Sequence, residues 1–285
     1  VRNTCAKDAY FFFYNFIFQC IQSAVSLACN RPNACFTNPC FSLILLRVGA
    51  RVIMACRNMD KCKSAAEDIT KKTEGLKDSG SVECRYLDLS KTRTIRQFAA
   101  DIMRTEKKIN YLINNAAVMG CKWELSEDQQ EMQFSVNYLG HYLLTLKLLP
   151  RMIKSAPSRI VNVASLAHTF KKRIKNVTTY ALHPGVIATE LTRHLDHALH
   201  PLIKKMYETR FVRYFIRTPE EGAQTTLHCA LNAKAAEETG QYYSNCHKAK
   251  PNKTARDDKR AKELWDWSWN TLKIGEGDYD PFQPQ

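Results

Sequence analysis

Arg57 stands directly after the apolar run Ala50–Cys56, where a buried strand would end. A guanidinium placed there can fork onto a ribose 2′-phosphate through two parallel N–H···O bonds; a solvated surface arginine is the plain alternative. Polar side chains recur at the ends of later apolar runs. Asp88 lies in Leu87-Asp88-Leu89-Ser90, Asn114 and Asn115 precede Ala116 and Ala117, Ser165 follows Ala164, and Thr189 comes shortly after His183-Pro184-Gly185-Val186. Taken singly, each is a strand end with turn residues, but their order and spacing make coincidence a poor account. The eleven cysteines offer less: their number is odd, no Cys-x-x-Cys pair occurs, and the cluster Cys29, Cys35 and Cys40 lacks a fourth ligand at zinc spacing. Reduced thiols and no metal are expected.

The elements that must position these residues alternate from residue 48 onward. Ala50–Cys56 predicts a buried strand, Lys61–Lys72 a polar-faced helix, and Val82–Leu87 and Tyr111–Asn114 two further strands. Glu127–Ile153 carries apolar residues at helical spacing with Pro150 as a kink or break near its end, and Arg159–Val163 and Val177–Leu182 are strands. Thr218 should open a helix, because Pro219 suits the first helical position and Glu221 can close a capping box. Residues 240–244 supply a last strand. This alternation implies an α/β fold, a Rossmann-like doubly wound parallel sheet.

The motifs in this order resemble the short-chain dehydrogenase/reductase family, in particular its retinol dehydrogenase branch, over about residues 47–275. The resemblance implies a hydride transfer between a nicotinamide cofactor, NADP(H), and a small apolar alcohol or aldehyde such as a retinoid. It gives Arg57, Asp88, Leu89, Asn115, Ala116, Pro184, Gly185, Val186 and Thr189 to cofactor binding. It implies that Ser165 orients the substrate oxygen and that Asn137, in Val136-Asn137-Tyr138-Leu139-Gly140-His141, supports a proton-relay water.

Two blocks depart from the family pattern. A glycine-rich turn should follow the first strand, yet residues 1–48 contain no glycine. The family's general acid is a Tyr with a Lys four residues later, and no Tyr-x-x-x-Lys occurs anywhere; only Leu166–Asn176 separates Ser165 from the strand at Val177. The sheet is therefore expected to be incomplete at its first strand and at the crossover after Ser165, and a noncatalytic pseudoenzyme is the rival reading. Ala117 adds a methyl group where the family has glycine. Residues 1–46 form a divergent segment in which residues 9–30 carry no charge and are a candidate membrane anchor, with the aromatic run Phe11–Phe18 as a buried strand the alternative; residues 276–285 are a tail. An anchor would imply the endoplasmic reticulum membrane facing the cytosol, and its absence the cytoplasm. The net charge of +14 favours an anionic partner, but the basic residues are dispersed apart from Lys171–Lys175 and Lys248–Lys262, and no RNA-recognition signature accompanies them. Nucleic acid is not an expected partner.

Overall fold

A computed structural model describes residues 25–28, 39–164, 177–185, 187, 217–275 and 278–281. Its sheet has the strand order β3-β2-β1-β4-β5-β6-β7-β8. The strands are β1 (Val25–Ala28), β2 (Arg51–Cys56), β3 (Ser81–Tyr86), β4 (Tyr111–Asn114), β5 (Ser158–Val163), β6 (Val177–His183), β7 (Gln241–Ser244) and β8 (His247–Lys248). β2 pairs with β3, β4 with β5, β5 with β6 and β6 with β7, all parallel. The expected doubly wound order is therefore present. The central place is filled, but by a strand that runs antiparallel to both neighbours: Val25 lies opposite Ala55 and Asn114, and Ala28 opposite Val52 and Tyr111. The strand alternative over Phe11–Phe18 lies outside the described residues, and the strand at Val25–Ala28 is one that the sequence reading did not predict. Among the described residues no helix is long and apolar enough to cross a membrane.

Helices cover both faces, and the period of two along each strand divides the core between them. Ile53, Ala55, Leu112 and Ile160 point to one side, where α3 (Thr92–Thr105) and α4 (Gly140–Lys154) bring Phe98, Ile102, Leu144 and Leu148. Val52, Met54, Ile113 and Val161 point to the other, against Leu45 and Leu46 of α1 (Pro39–Arg47), Ile69 of α2 (Met59–Thr73) and Leu227 of α5 (Pro219–Leu231). A short helix, α6 (Ala233–Ala236), precedes β7, and α7 (Asp258–Thr271) closes the described chain. The capping box at Thr218 and Glu221 is present as expected. Pro150 does not end its helix, which continues to Lys154.

The expectation of reduced thiols is corrected at one pair. Cys62 on α2 and Cys84 on β3 are joined by a disulfide, with their Cα atoms 6.1 Å apart. The linear spacing gave no sign of this, because the two cysteines meet only when α2 folds back onto the strand that follows it.

Candidate functional site

The carboxyl ends of the parallel strands share one edge of the sheet, and the residues singled out in the sequence gather along it. Arg57 follows β2 and is exposed, and the side chain of its neighbour Asn58 caps α2 by accepting the Lys61 N–H at 2.9 Å. Asp88 follows β3 and is buried; its Oδ1 accepts the Ser90 N–H at 3.0 Å and the Ser90 hydroxyl at 2.7 Å, which folds the exit of β3 into a tight turn. Leu89 is buried against Gly140, where a Cβ would come within 2.5 Å of the Leu89 carbonyl oxygen, so only glycine fits the contact.

Beneath the exit of β4, Asn114 donates through Nδ2 to Thr145 Oγ1 at 3.0 Å and Asn162 Oδ1 at 2.8 Å, tying β4 to α4 and β5. Asn115 is buried and Ala116 half-buried. Ala117, the departure from the family pattern, has no positive φ, so its methyl adds no backbone strain. Asn137 holds the next part of this exit: its Oδ1 accepts the Val118 N–H at 2.8 Å and its Nδ2 donates to the Val118 carbonyl at 2.9 Å. It sits in a π turn, Ser135–Leu139, a widened turn of the kind frequent at functional sites.

His141 lies one helical turn further on, with Nε2 2.8 Å from the Ala116 carbonyl oxygen. A carbonyl can only accept, so the ring proton is on Nε2, and Nδ1 has no hydrogen-bond partner among the described residues. Burial pushes the imidazole down from 6.5 to about 4, with the Ala116 bond acting in the opposite direction, so the ring is neutral at pH 7. No role was read for His141 from the sequence; its spacing of four from Asn137 was the available signal.

After β6, the Pro184 carbonyl accepts from Arg217 Nη1 at 3.2 Å, and Gly185 adopts φ +94°, a conformation that favours glycine, with the Arg217 side chain packed against it. Tyr180 is buried within β6, its hydroxyl held by the Ala235 carbonyl and Thr178 Oγ1, well away from the role of a general acid at the edge. Ser165, Val186 and Thr189 lie outside the described residues.

An open α/β sheet in this strand order, with parallel strands on both sides of its centre and helices on both faces, is a Rossmann-like fold. A model of the short chain dehydrogenase family matches residues 40–181. Mouse retinol dehydrogenase 11 is 37% identical over 266 residues, covering 81% of this chain and 81% of its own length. Human retinol dehydrogenase 12 is 38% identical over 262 residues, covering 79% of each. The Pseudomonas aeruginosa RhlG–NADP complex matches in fold alone, with a TM-score of 0.56, 19% identity, 72% of this chain and 88% of its own. The chain belongs to the short-chain dehydrogenase/reductase family, in its retinol dehydrogenase branch.

The residues present fit one part of a nicotinamide dinucleotide and not another. Arg57 and Asp88 follow the paired strands β2 and β3, and their chemistry, a guanidinium and a turn-forming carboxylate, is compatible with an adenosine end there. At the pyrophosphate position the family needs backbone N–H groups at a helix N-terminus following the first strand. Here β1 runs the opposite way, so its carboxyl end, Ala28, lies at the far edge of the sheet from Asn114.

Proposed function

We propose that the chain is an NADP(H)-linked relative of the retinol dehydrogenases whose substrate class is a small apolar alcohol or its aldehyde, such as a retinoid, and whose turnover is impaired. The observation that carries the reading is the alignment of Arg57, Asp88, Asn115 and Pro184-Gly185 along one sheet edge, in a chain more than a third identical to retinol dehydrogenases. In this reading Arg57 pairs with the 2′-phosphate, Asp88 and Leu89 flank the adenine, Asn115 and Ala116 line the ribose side, and Pro184, Gly185, Val186 and Thr189 cover the nicotinamide. Ser165 orients the substrate oxygen and Asn137 supports proton relay, but no Tyr-x-x-x-Lys supplies the acid. That absence favours a second reading, a noncatalytic protein that keeps a nucleotide or apolar ligand site. If residues 9–30 act as an anchor, either protein would sit on the endoplasmic reticulum membrane facing the cytosol.

The test is retinal reduction followed by NADPH absorbance, with Ser165→Ala as control and a parallel titration of NADPH binding. Loss of a general acid typically removes about 10² to 10⁴ of rate, so turnover near background is expected. Turnover clearly above the Ser165→Ala control would mean that another residue supplies the proton. An Arg57→Ala variant should weaken NADPH binding while leaving NADH binding unchanged; equal loss of both would remove Arg57 from the 2′-phosphate.

A further inference from the structure

Three contacts from one stretch of helix meet the exits of β3 and β4, which β2 and β1 separate in the sheet. Gly140 presses on Leu89 after β3, Asn137 holds both backbone groups of Val118, and His141 holds the Ala116 carbonyl. The first is a steric stop and the second a bidentate amide clamp. The third is a single hydrogen bond from a ring that is 8% exposed, and no other partner of the Ala116 carbonyl is seen among the described residues. The ring is buried although Ala116 is only half-buried, so a His141 side chain that lost this acceptor would leave a buried N–H unpaired at a desolvation cost, which makes the bond a restraint on the chain.

We propose that His141 is a positioning residue that fixes the β4 exit, Asn115–Val118, through the Nε2–H···O bond to Ala116. The inference rests on the reading of this edge as a dinucleotide site, because that exit carries Asn115 and Ala116, which the reading gives to the cofactor, outside the carboxyl end of a central strand. His141 touches no substrate in this scheme; it acts through Ala116 and keeps Asn115 at its station. Asn137 and His141 then divide the task, one holding Val118 and the other Ala116, with the π turn setting the two side chains on the same face.

The geometry makes a selective test available. The amide nitrogen of glutamine is the same number of bonds from Cα as Nε2 of histidine, whereas that of asparagine is one bond short. His141→Gln, His141→Asn and His141→Phe variants of the full chain are compared by hydrogen–deuterium exchange of backbone amides 115–120, by thermal unfolding and by NADPH fluorescence titration. Loss of a buried hydrogen bond corresponds to roughly tenfold faster local opening. His141→Asn and His141→Phe should therefore exchange about tenfold faster in this segment, while His141→Gln stays near the parent. Should His141→Phe fail to fold, the Gln and Asn pair decides alone. Unchanged exchange in His141→Asn overturns the proposal, as does His141→Gln loosening as much as His141→Asn, which would assign the effect to ring packing. If the parent chain binds no NADPH at all, the dinucleotide reading fails, and the exchange measurements still decide whether His141 fixes this exit.

Discussion

At the scale of single residues, burial decides what His141 can do. Its ring titrates at about 4 in the folded chain and near 6.5 when exposed, so below pH 6.5 the unfolded chain takes up a proton that the folded chain refuses. The contribution is fully present above pH 6.5 and is lost as pH falls toward 4. The cost at pH 4 is about 3 kcal/mol relative to pH 7. Urea unfolding at pH 7, 5.5 and 4 should show this as the difference between the parent and His141→Gln, in which the titrating group is gone. Parallel curves for the two proteins would mean that the ring is not buried as described. His183 is also pushed down by burial, with the Arg217 charge adding to it, and it adds to the acid sensitivity common to both proteins.

At the scale of elements, the contact between α4 and the exit of β3 has no room for a methyl group. Gly140→Ala gains about 1 kcal/mol of helix propensity but forces a Cβ into the Leu89 carbonyl, an overpacking that costs about 1–3 kcal/mol. Net destabilisation is expected in chemical unfolding. Gly275→Ala, where nothing lies within 4 Å of the new Cβ, serves as the neutral control. The Cys62–Cys84 bridge ties α2 to β3 across 22 residues, a loop whose closure contributes roughly 3 kcal/mol in the chain-entropy model. Alkylation without reduction should leave this pair unlabelled, and dithiothreitol or Cys84→Ser should lower the unfolding midpoint. Full labelling of the unreduced protein would rule the bridge out.

At the scale of the whole molecule, the two departures from the family pattern act on one reaction. In the proposed reading the missing Tyr-x-x-x-Lys would deprive the reaction of its acid, and an antiparallel β1 would deprive it of the helix end that holds the pyrophosphate, the positioning on which hydride transfer depends. Restoring only a Tyr-x-x-x-Lys helix between Ser165 and Val177 should therefore leave retinal reduction near background. Turnover should return only when a glycine-rich turn is also installed ahead of Gly49, with NADPH binding recovering in step. Recovery by the helix alone would show that the cofactor is held without the turn.

The strands from Arg51 to Ser244 were legible in the sequence because buried strands and amphipathic helices leave periods that local residues carry by themselves, and Tyr111–Asn114 was read to its bounds. The capping box at Thr218 was legible for the same reason, since its partners are three residues apart. The line of Arg57, Asp88, Asn115 and Gly185 followed from motif order alone. Three features were decided elsewhere. The direction of Val25–Ala28 depends on pairing with strands about 30 and 90 residues away, which no local pattern encodes. Cys62 finds Cys84 only through the fold of α2 on β3. His141 looked like one more residue in a helix, and the positioning proposed for it arises because the exit of β4 brings the Ala116 carbonyl 2.8 Å from its buried ring.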